Sequence, residues 1–368
     1  MKYLKNLFEG TERSLYLMPL VFFVISMLMM LSTSYDNGIV ISKTVVIQGV
    51  AYVLGFVIIL FMANIDYETF QDIQVKLYVG SIIFLLLVYV PGLGVEMNGA
   101  RSWINLGVTT FQPSEIVKIT FILLMADYFR RHKVQLRTFG GVLKSMIYAA
   151  PFILIILKED LGSALVFMII YVVMLFYAGI SYKLFGELVA VVALLTPVAY
   201  SFLADYQKER ITAFLHPNNL SLQGNYQVWQ SKVAIGSGGF FGKGLFHGTQ
   251  KALDFLPVSN SDYVFAVLCE ELGFLGGFLL IAAYAYFIYG MTKVATRAID
   301  EYGALVVIGV IAMFTFQIFE NIAMTMGIMP ATGITLPFIS YGGSSVLCCM
   351  LALGLVLNVA IKNKNVTF

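Results

Sequence analysis

Charged residues are scarce in this chain. Only 12% of its 368 residues are Asp, Glu, Lys or Arg, and 59% are hydrophobic, whereas soluble domains carry about 25% charged residues. This composition excludes a water-soluble fold. Because lipid offers no hydrogen-bond partners, membrane-spanning backbone must form helices or a closed barrel. The apolar runs are long and continuous rather than alternating, so they predict helices.

The chain also has few cysteines and a small net charge. The three cysteines, Cys269, Cys348 and Cys349, lie within apolar runs. An odd count without metal-ligand spacing argues against a disulfide framework or a zinc site, so we interpret them as small core residues. The formal net charge of +2 is too small to indicate a nucleic-acid partner.

Ten apolar runs are long enough to cross a membrane. They predict a single integral membrane domain over residues 1–368, all-α and polytopic, with about ten transmembrane helices. The predicted spans are 15–33, 44–63, 76–91, 110–129, 142–157, 161–180, 184–203, 263–290, 302–325 and 342–361. Ser34-Tyr35-Asp36 follows the first run in place of a small-residue cleavage site, which predicts a retained helix.

The basic residues predict the orientation of these spans. Arg130, Arg131, His132 and Lys133 form the densest basic cluster and follow the fourth span, so this connection is expected to be cytoplasmic. An even number of spans then places both termini in the cytoplasm. The connections that face outward would be 34–43, 92–109, 158–160, 204–262 and 326–341. The longest is an extracytoplasmic loop between helices 7 and 8, and loops of this length are usually functional or disordered.

Ionisable residues at the start of two spans have two possible interpretations. Pro113 and Ser114 predict a helix start, and Glu115 and Lys118 share one face of that helix. They could form a structural ion pair or part of a functional site. Asp160 could cap the sixth span or take part in chemistry.

The long outer loop and the eighth span carry further polar candidates. Asp262 precedes the eighth span, and its position alone favours a helix cap. Glu270 lies roughly 12 Å deeper, where a carboxylate is expected to be functional or tightly paired. Arg210 lies in the long loop, and Lys232 precedes a glycine-rich stretch that no predicted strand precedes, so this stretch is not a P-loop. Residues 329–345 are broken by Pro and Gly, which predicts a re-entrant segment before helix 10.

These motifs occur together in one known family. From residue 98 to residue 345 the chain reads, in order, NGARSWI, FQPSEIVK, DLGSA, QSKVAIGSGGFFGKG, SDYVFAVLCEELG and LPFISYGGSS. This pattern resembles the SEDS family of RodA, FtsW and SpoVE. His247-Gly248-Thr249-Gln250 is similar to the RodA branch. The chain departs from the family where Val258 and Asn260 replace a common Glu and His.

The resemblance implies a peptidoglycan glycosyltransferase that polymerises lipid II on the outer face of the cytoplasmic membrane during cell elongation and shape maintenance. It also implies a class B penicillin-binding protein transpeptidase, the elongation machinery and membrane lipids as partners. The essential aspartate of the family falls on Asp262, which suits a general base. Substrate and diphosphate contacts are expected from Arg101, Glu115, Lys118, Asp160, Arg210, Lys232 and Glu270. A divalent cation, Mg or Mn, could also neutralise the diphosphate.

Other functions fit part of the pattern. Many spans, intramembrane charges and a broken helix also describe transporters, so a lipid II flippase is one alternative. A division or sporulation polymerase and a non-catalytic scaffold are others. The charged candidates gather on the predicted outer side, and the sequence shows no matched pair of broken helices in two halves, so an enzyme is favoured.

Overall fold

The computed structural model describes residues 12–35, 38, 40–97, 100–105, 107, 110–201, 203–222, 224–253, 255–256 and 259–365. Lys2, Lys5 and Val258 lie outside the described residues. The helices are α1 Ser14–Thr33, α2 Lys43–Met62, α3 Thr69–Asp72, α4 Gln74–Leu86, α5 Pro113–Arg131, α6 Phe139–Glu159, α7 Leu161–Tyr177, α8 Tyr182–Ser201, α9 Asp205–Leu215, α10 Asn225–Ser237, α11 Thr249–Ala252, α12 Val264–Thr296, α13 Glu301–Thr325 and α14 Gly343–Asn365.

Each of the ten predicted spans corresponds to a helix, which confirms the polytopic all-α architecture. The corresponding helices are α1, α2, α4, α5, α6, α7, α8, α12, α13 and α14. Six of them are long and apolar enough by length and composition to cross a membrane: α1, α2, α6, α12, α13 and α14. Pro113 is the first residue of α5, as the sequence predicted.

The helices at the centre of the bundle are apolar along most of their length. In an apolar 18-residue stretch of α14, 83% of the stretch is buried inside the protein, whereas the share for the corresponding stretch of α6 is 33%. A helix without a polar face must be covered by other helices or by lipid. Helix α14 packs along α2 and against α13, and α13 also packs on α7 and α12. Therefore α13 and α14 form the core, and α6 lies at the periphery.

Two of the connections that were predicted to face outward contain structure that the sequence did not predict. Three strands form a small antiparallel sheet: β1 Gly94–Met97, β2 Ala100–Asn105 and β3 Thr110–Phe111. Glu159 at the end of α6 holds this sheet, because it accepts hydrogen bonds from the Arg101 backbone N–H (2.8 Å) and the Tyr89 hydroxyl (2.9 Å). The long connection between α8 and α12 contains α9, α10 and α11.

The irregular segment between α13 and α14 is buried, as the Pro and Gly residues predicted. Leu336 and Ile339 are 0% exposed and Phe338 is 1% exposed. Side chains from the spans satisfy its backbone carbonyls: Tyr52 donates to Phe338 O (2.6 Å) and Tyr284 donates to Pro337 O (2.6 Å). Buried carbonyls need such partners, so these hydroxyls permit a non-helical path through the core.

Helix α12 is kinked rather than straight. Gly273 adopts φ 70° and ψ −167° inside it, a conformation that essentially only glycine tolerates. The residues after the kink bind the turn that follows α10, since Phe274 N–H donates to Gly239 O (2.8 Å). The predicted span 263–290 is therefore two helical pieces, and the connection between α8 and α12 packs against the kink.

The orientation can be tested by cysteine labelling. Val134 follows the basic cluster and is 82% exposed, and Leu220 lies between α9 and α10 and is 44% exposed. In a background without native cysteines, Val134→Cys should react with an impermeant maleimide only from the cytoplasmic side of membrane vesicles, and Leu220→Cys only from the outer side. The wild-type chain is the control, because its three cysteines are buried. Reaction of both variants from one side would contradict the orientation.

Candidate active site

Asp262 lies in the turn that precedes α12, but it does not cap this helix. The N-cap of α12 is Tyr263, which makes no capping hydrogen bond through its side chain. The Asp262 carbonyl instead accepts a hydrogen bond from the Asn321 side chain (3.0 Å), which also donates to Ile334 O (2.8 Å). The capping interpretation of Asp262 is therefore wrong. The turn is held by α13 and by the irregular segment.

The surroundings of Asp262 raise the pKa of its carboxyl group. Burial is the largest cause, and the negative charge of Asp160 acts in the same direction. A hydrogen bond from the Ser261 side chain and the positive charge of Arg210 oppose this rise. Gly333 lies close to the Asp262 carboxylate, since a Cβ at this residue would be 3.5 Å from Asp262 Oδ2.

Two cavities meet at Asp262. The first cavity has a volume of about 330 Å³ and lies between α5, α7, α9 and the irregular segment. Its charged lining residues are Glu115, Lys118, Glu159, Asp160, Arg210 and Asp262. The second cavity has a volume of about 490 Å³ and lies between α9, α10 and the end of α13. Its charged lining residues are Glu209, Arg210, Lys232 and Asp262.

Arg210 is positioned between the two cavities by the docking of α9. Tyr206 and Gln207 of α9 donate to Glu159 O and Leu157 O at the end of α6, both at 2.9 Å. The Arg210 guanidinium lies 5.8 Å from the centre of the Tyr206 ring and donates to Thr332 O (2.9 Å). Because a guanidinium has five N–H donors, this contact leaves most of them available to a ligand.

Glu115 and Lys118 form an ion pair on α5, with Lys118 Nζ 2.7 Å from Glu115 Oε1. Lys118 is 1% exposed and Glu115 is 6% exposed. The pair also lines the first cavity. Both residues belong to α5, so the ion pair is internal to one helix and does not join two helices, and the same side chains form part of the cavity wall.

Asp160 is the N-cap of α7, as the sequence suggested. Its carboxylate accepts hydrogen bonds from Ser163 N–H (3.1 Å) and from the Ser163 hydroxyl (2.6 Å). The Gln112 side chain donates to the same carboxylate (3.0 Å). The Asp160 carboxylate therefore both caps α7 and lines the first cavity, and three donors fix its orientation.

Two of the predicted site residues lie elsewhere. Arg101 lines a separate cleft of about 30 Å³, which shares Ser102, Glu159 and Asp160 with the first cavity. Glu270 is fully buried and pairs with Lys243 Nζ (2.6 Å) and Thr249 N–H (2.8 Å). This carboxylate fastens the connection between α8 and α12 to α12 itself, and it does not line either cavity at Asp262.

Two residues near the site were missed from the sequence. Glu320 on α13 is fully buried and accepts a hydrogen bond from the Thr332 hydroxyl, and Asn321 holds the Asp262 turn. An ionisable residue within an apolar span is itself a signal of function, and this signal was present at Glu320. Asn260, a departure from the family pattern, contributes its carbonyl to Tyr341 N–H (2.8 Å).

The described part of the chain contains no group of three or more His, Cys, Asp or Glu side chains that could hold a metal ion. Divalent cations such as Mg²⁺ prefer several oxygen ligands. A divalent cation at the diphosphate stays a prediction, and the described residues offer no ligand set for it.

Comparison with known proteins places these motifs in a family. Residues 12–365 match the FtsW/RodA/SpoVE family of cell cycle proteins. The chain is 36% identical over 312 residues to peptidoglycan glycosyltransferase MrdB of Escherichia coli K12, with 84% of each chain covered. It is 37% identical over 309 residues to stage V sporulation protein E of Bacillus subtilis 168, which covers 83% of this chain and 84% of the relative.

Solved structures share the whole fold. A peptidoglycan synthase complex that structurally coordinates polymerization and crosslinking contains a chain with a TM-score of 0.83 and 26% identity, which covers 97% of this chain and 99% of its own length. The rod shape determining protein RodA of Thermus thermophilus has a TM-score of 0.69 and 26% identity, and covers 96% of this chain and 97% of its own length.

The buried pair on α5 predicts a stability change. Lys118→Met leaves the Glu115 carboxylate buried without its cation, which typically costs about 3–5 kcal/mol. We expect a lower melting temperature in detergent for this variant, and recovery in the double variant Glu115→Gln with Lys118→Met. Lys144→Met, on an exposed residue of α6, is the control. A double variant no more stable than Lys118→Met would contradict the ion-pair explanation.

Proposed function

We propose that this chain, which belongs to the FtsW/RodA/SpoVE family of cell cycle proteins, is a peptidoglycan glycosyltransferase that polymerises lipid II with Asp262 as general base. The observation that carries the proposal is the position of Asp262, where a cavity rich in carboxylates meets a cavity that contains Arg210 and Lys232. Its similarity to MrdB over most of both chains supports the same reaction class.

The reaction needs a proton acceptor. The hydroxyl of an acceptor sugar attacks C1 of the donor sugar, the new C1–O bond forms, and the bond from C1 to the diphosphate oxygen breaks. Asp262 takes the hydroxyl proton. Burial raises the pKa of Asp262, which makes its carboxylate a better base than an exposed aspartate.

The leaving group needs positive charge. The electron pair of the broken bond moves to the diphosphate, and a preorganised cation stabilises this charge as it develops. Arg210 lines both cavities beside Asp262, and a guanidinium can bind two phosphate oxygens at once. Arg210 is therefore placed to stabilise the leaving group while it lies beside the base.

The cellular setting is part of the proposal. The basic cluster supports a cytoplasmic membrane protein with both termini inside and the Asp262 cavities facing outward. A class B penicillin-binding protein transpeptidase is the proposed partner, supported by the similarity to a chain of a complex that coordinates polymerization and crosslinking. The motif at His247 to Gln250 supports a role in elongation over division or sporulation.

The central test is Asp262→Asn, because Asn is nearly isosteric but cannot accept the proton. Purified variant should polymerise labelled lipid II about 100-fold more slowly or worse, the usual scale for loss of a general base. Since Asp262 caps no helix, Asp262→Asn and Asp262→Ala should melt at similar temperatures. Asp205→Asn, an exposed residue of α9, is the matched control.

A near-normal rate of polymerisation by Asp262→Asn would overturn the assignment of the base. An assay in liposomes distinguishes a polymerase from a flippase, because polymer formation and movement of lipid II between leaflets can be measured in the same preparation. Wild-type protein that equilibrates lipid II between leaflets and forms no polymer would contradict the glycosyltransferase proposal.

The pH dependence provides a second test. The base must be ionised, so the rate should fall as the pH drops through the pKa of Asp262, at a higher pH than for an exposed aspartate. The charge of Asp160 raises this pKa and that of Arg210 lowers it. Asp160→Asn should therefore move the acid limb of kcat/KM to lower pH, and Arg210→Gln should move it to higher pH. Shifts in the same direction would exclude Asp262 as the titrating base.

A further inference from the structure

The carboxyl group of Glu320 is buried in the bundle without an ion-pair partner. Glu320 lies within α13, an otherwise largely apolar helix, and is 0% exposed. Its Oε1 atom accepts a hydrogen bond from the Thr332 hydroxyl. Among the described residues its Oε2 atom has no hydrogen-bond partner, and no lysine or arginine forms an ion pair with it. A carboxyl group within a membrane span is costly and marks a functional site by default.

Thr332 connects Glu320 to Arg210. The Thr332 hydroxyl donates to Glu320, and the Thr332 backbone carbonyl accepts a hydrogen bond from Arg210 Nη1 (2.9 Å). Thr332 is 7% exposed and lies directly against α7, since a Cβ added at Gly162 would be 3.0 Å from Thr332 O. Two hydrogen bonds therefore run in series from α13, through one residue of the irregular segment, to the guanidinium beside Asp262.

The carbonyl that receives Arg210 needs an anchor, because the backbone around it is permissive. Residues 330–336 form neither helix nor strand. The Thr332 carbonyl belongs to the peptide group that joins Thr332 to Gly333, and Gly333 adopts φ 78°. Glycine adopts positive and negative φ about equally readily, so Gly333 alone does not fix the direction of this peptide group. The hydrogen bond from the Thr332 side chain to Glu320 supplies a constraint on the preceding residue.

Glu320 lies behind the wall of the first cavity rather than in it. Asp262, Asp160 and Arg210 all act electrostatically on its carboxyl group, so it is close to the site. It is not among the described residues that line either cavity at Asp262. Thr332 and Arg210 do line the first cavity. Any effect of Glu320 on a reaction there must therefore pass through these two residues.

We infer that Glu320 is a positioning residue: through the Thr332 hydroxyl it fixes the Thr332 carbonyl, and this carbonyl holds the Arg210 guanidinium beside Asp262. The inference rests on the proposed function, in which Arg210 stabilises the leaving diphosphate. A cation that is held in place before the reaction stabilises developing charge without reorganisation. Glu320 thus contributes to the rate without touching the substrate. The role requires an acceptor oxygen at this position and does not require a charge.

Two substitutions of Glu320 test this requirement. Glu320→Leu removes the acceptor, so kcat for polymerisation of labelled lipid II should fall roughly 10- to 100-fold, the scale of a misplacement of about 1 Å or less. Glu320→Gln keeps an acceptor oxygen and should polymerise at a near-normal rate. Phe319→Leu, at the neighbouring residue that is 56% exposed, is the control. A loss in Glu320→Gln equal to that in Glu320→Leu would overturn the inference.

Double variants distinguish positioning from a contribution to folding. Glu320→Leu with Thr332→Val removes both partners of the hydrogen bond, which is nearly neutral for stability. Its melting temperature should therefore recover relative to Glu320→Leu, while its rate stays low. Glu320→Leu with Arg210→Gln should be no slower than Arg210→Gln alone, because both changes remove the same contribution. A rate that recovers with the melting temperature, or losses that multiply, would contradict the positioning role.

The pKa of Asp262 provides a measurement that needs no turnover. The positive charge of Arg210 lowers this pKa, so release of the guanidinium should raise it. Nuclear magnetic resonance of protein isotopically labelled at the aspartate carboxyl carbon, with Asp262→Asn to assign the signal, should show a higher pKa in Glu320→Leu than in wild type. Glu320→Gln should match wild type. An unchanged pKa in Glu320→Leu would refute the inference. A raised pKa in a protein that forms no polymer would contradict the proposed function and leave the positioning role supported.

Discussion

The structure depends on the hydrogen bonding of the buried irregular segment between α13 and α14. A non-helical backbone in an apolar core is stable only if other groups satisfy its carbonyls and amides. Here the partners are side chains of the spans: Tyr52, Gln48 and Tyr284 donate to its carbonyls, and Asn321 donates to Ile334 O. The same segment provides Thr332 and Gly333 to the site. The position of the candidate site is therefore fixed by the core of the bundle rather than by an exposed loop.

Buried ion pairs attach the connection between α8 and α12 to this core. Glu270 pairs with Lys243, and Glu271 pairs with Lys251, both from the kinked helix α12 to the connection outside it. Breaking such a pair is costly because an uncompensated charge remains buried. These pairs hold the connection that carries α10 and hence Lys232. Glu270 can thus matter for function without contact with a substrate.

Long apolar runs made the spans predictable, since a run of about twenty apolar residues has few alternatives. The sheet around Arg101 was not predictable, because its strands are short and depend on Glu159, a residue about sixty positions away in the chain. The cap assigned to Asp262 failed for a related reason. Helix α12 begins two residues later, and the turn is held by Asn321 from another helix. The local sequence was enough to find the residue and its general location, whereas its surroundings depend on tertiary contacts.

Arg210 lines both cavities, and this shared position links their occupancy. A ligand that draws the guanidinium toward one side alters the electrostatic potential on the other, so the affinities of the two cavities cannot be independent. Thermodynamic linkage makes such an effect reciprocal: each ligand changes the binding of the other by the same factor. One arginine thereby links the electrostatics of the two cavities.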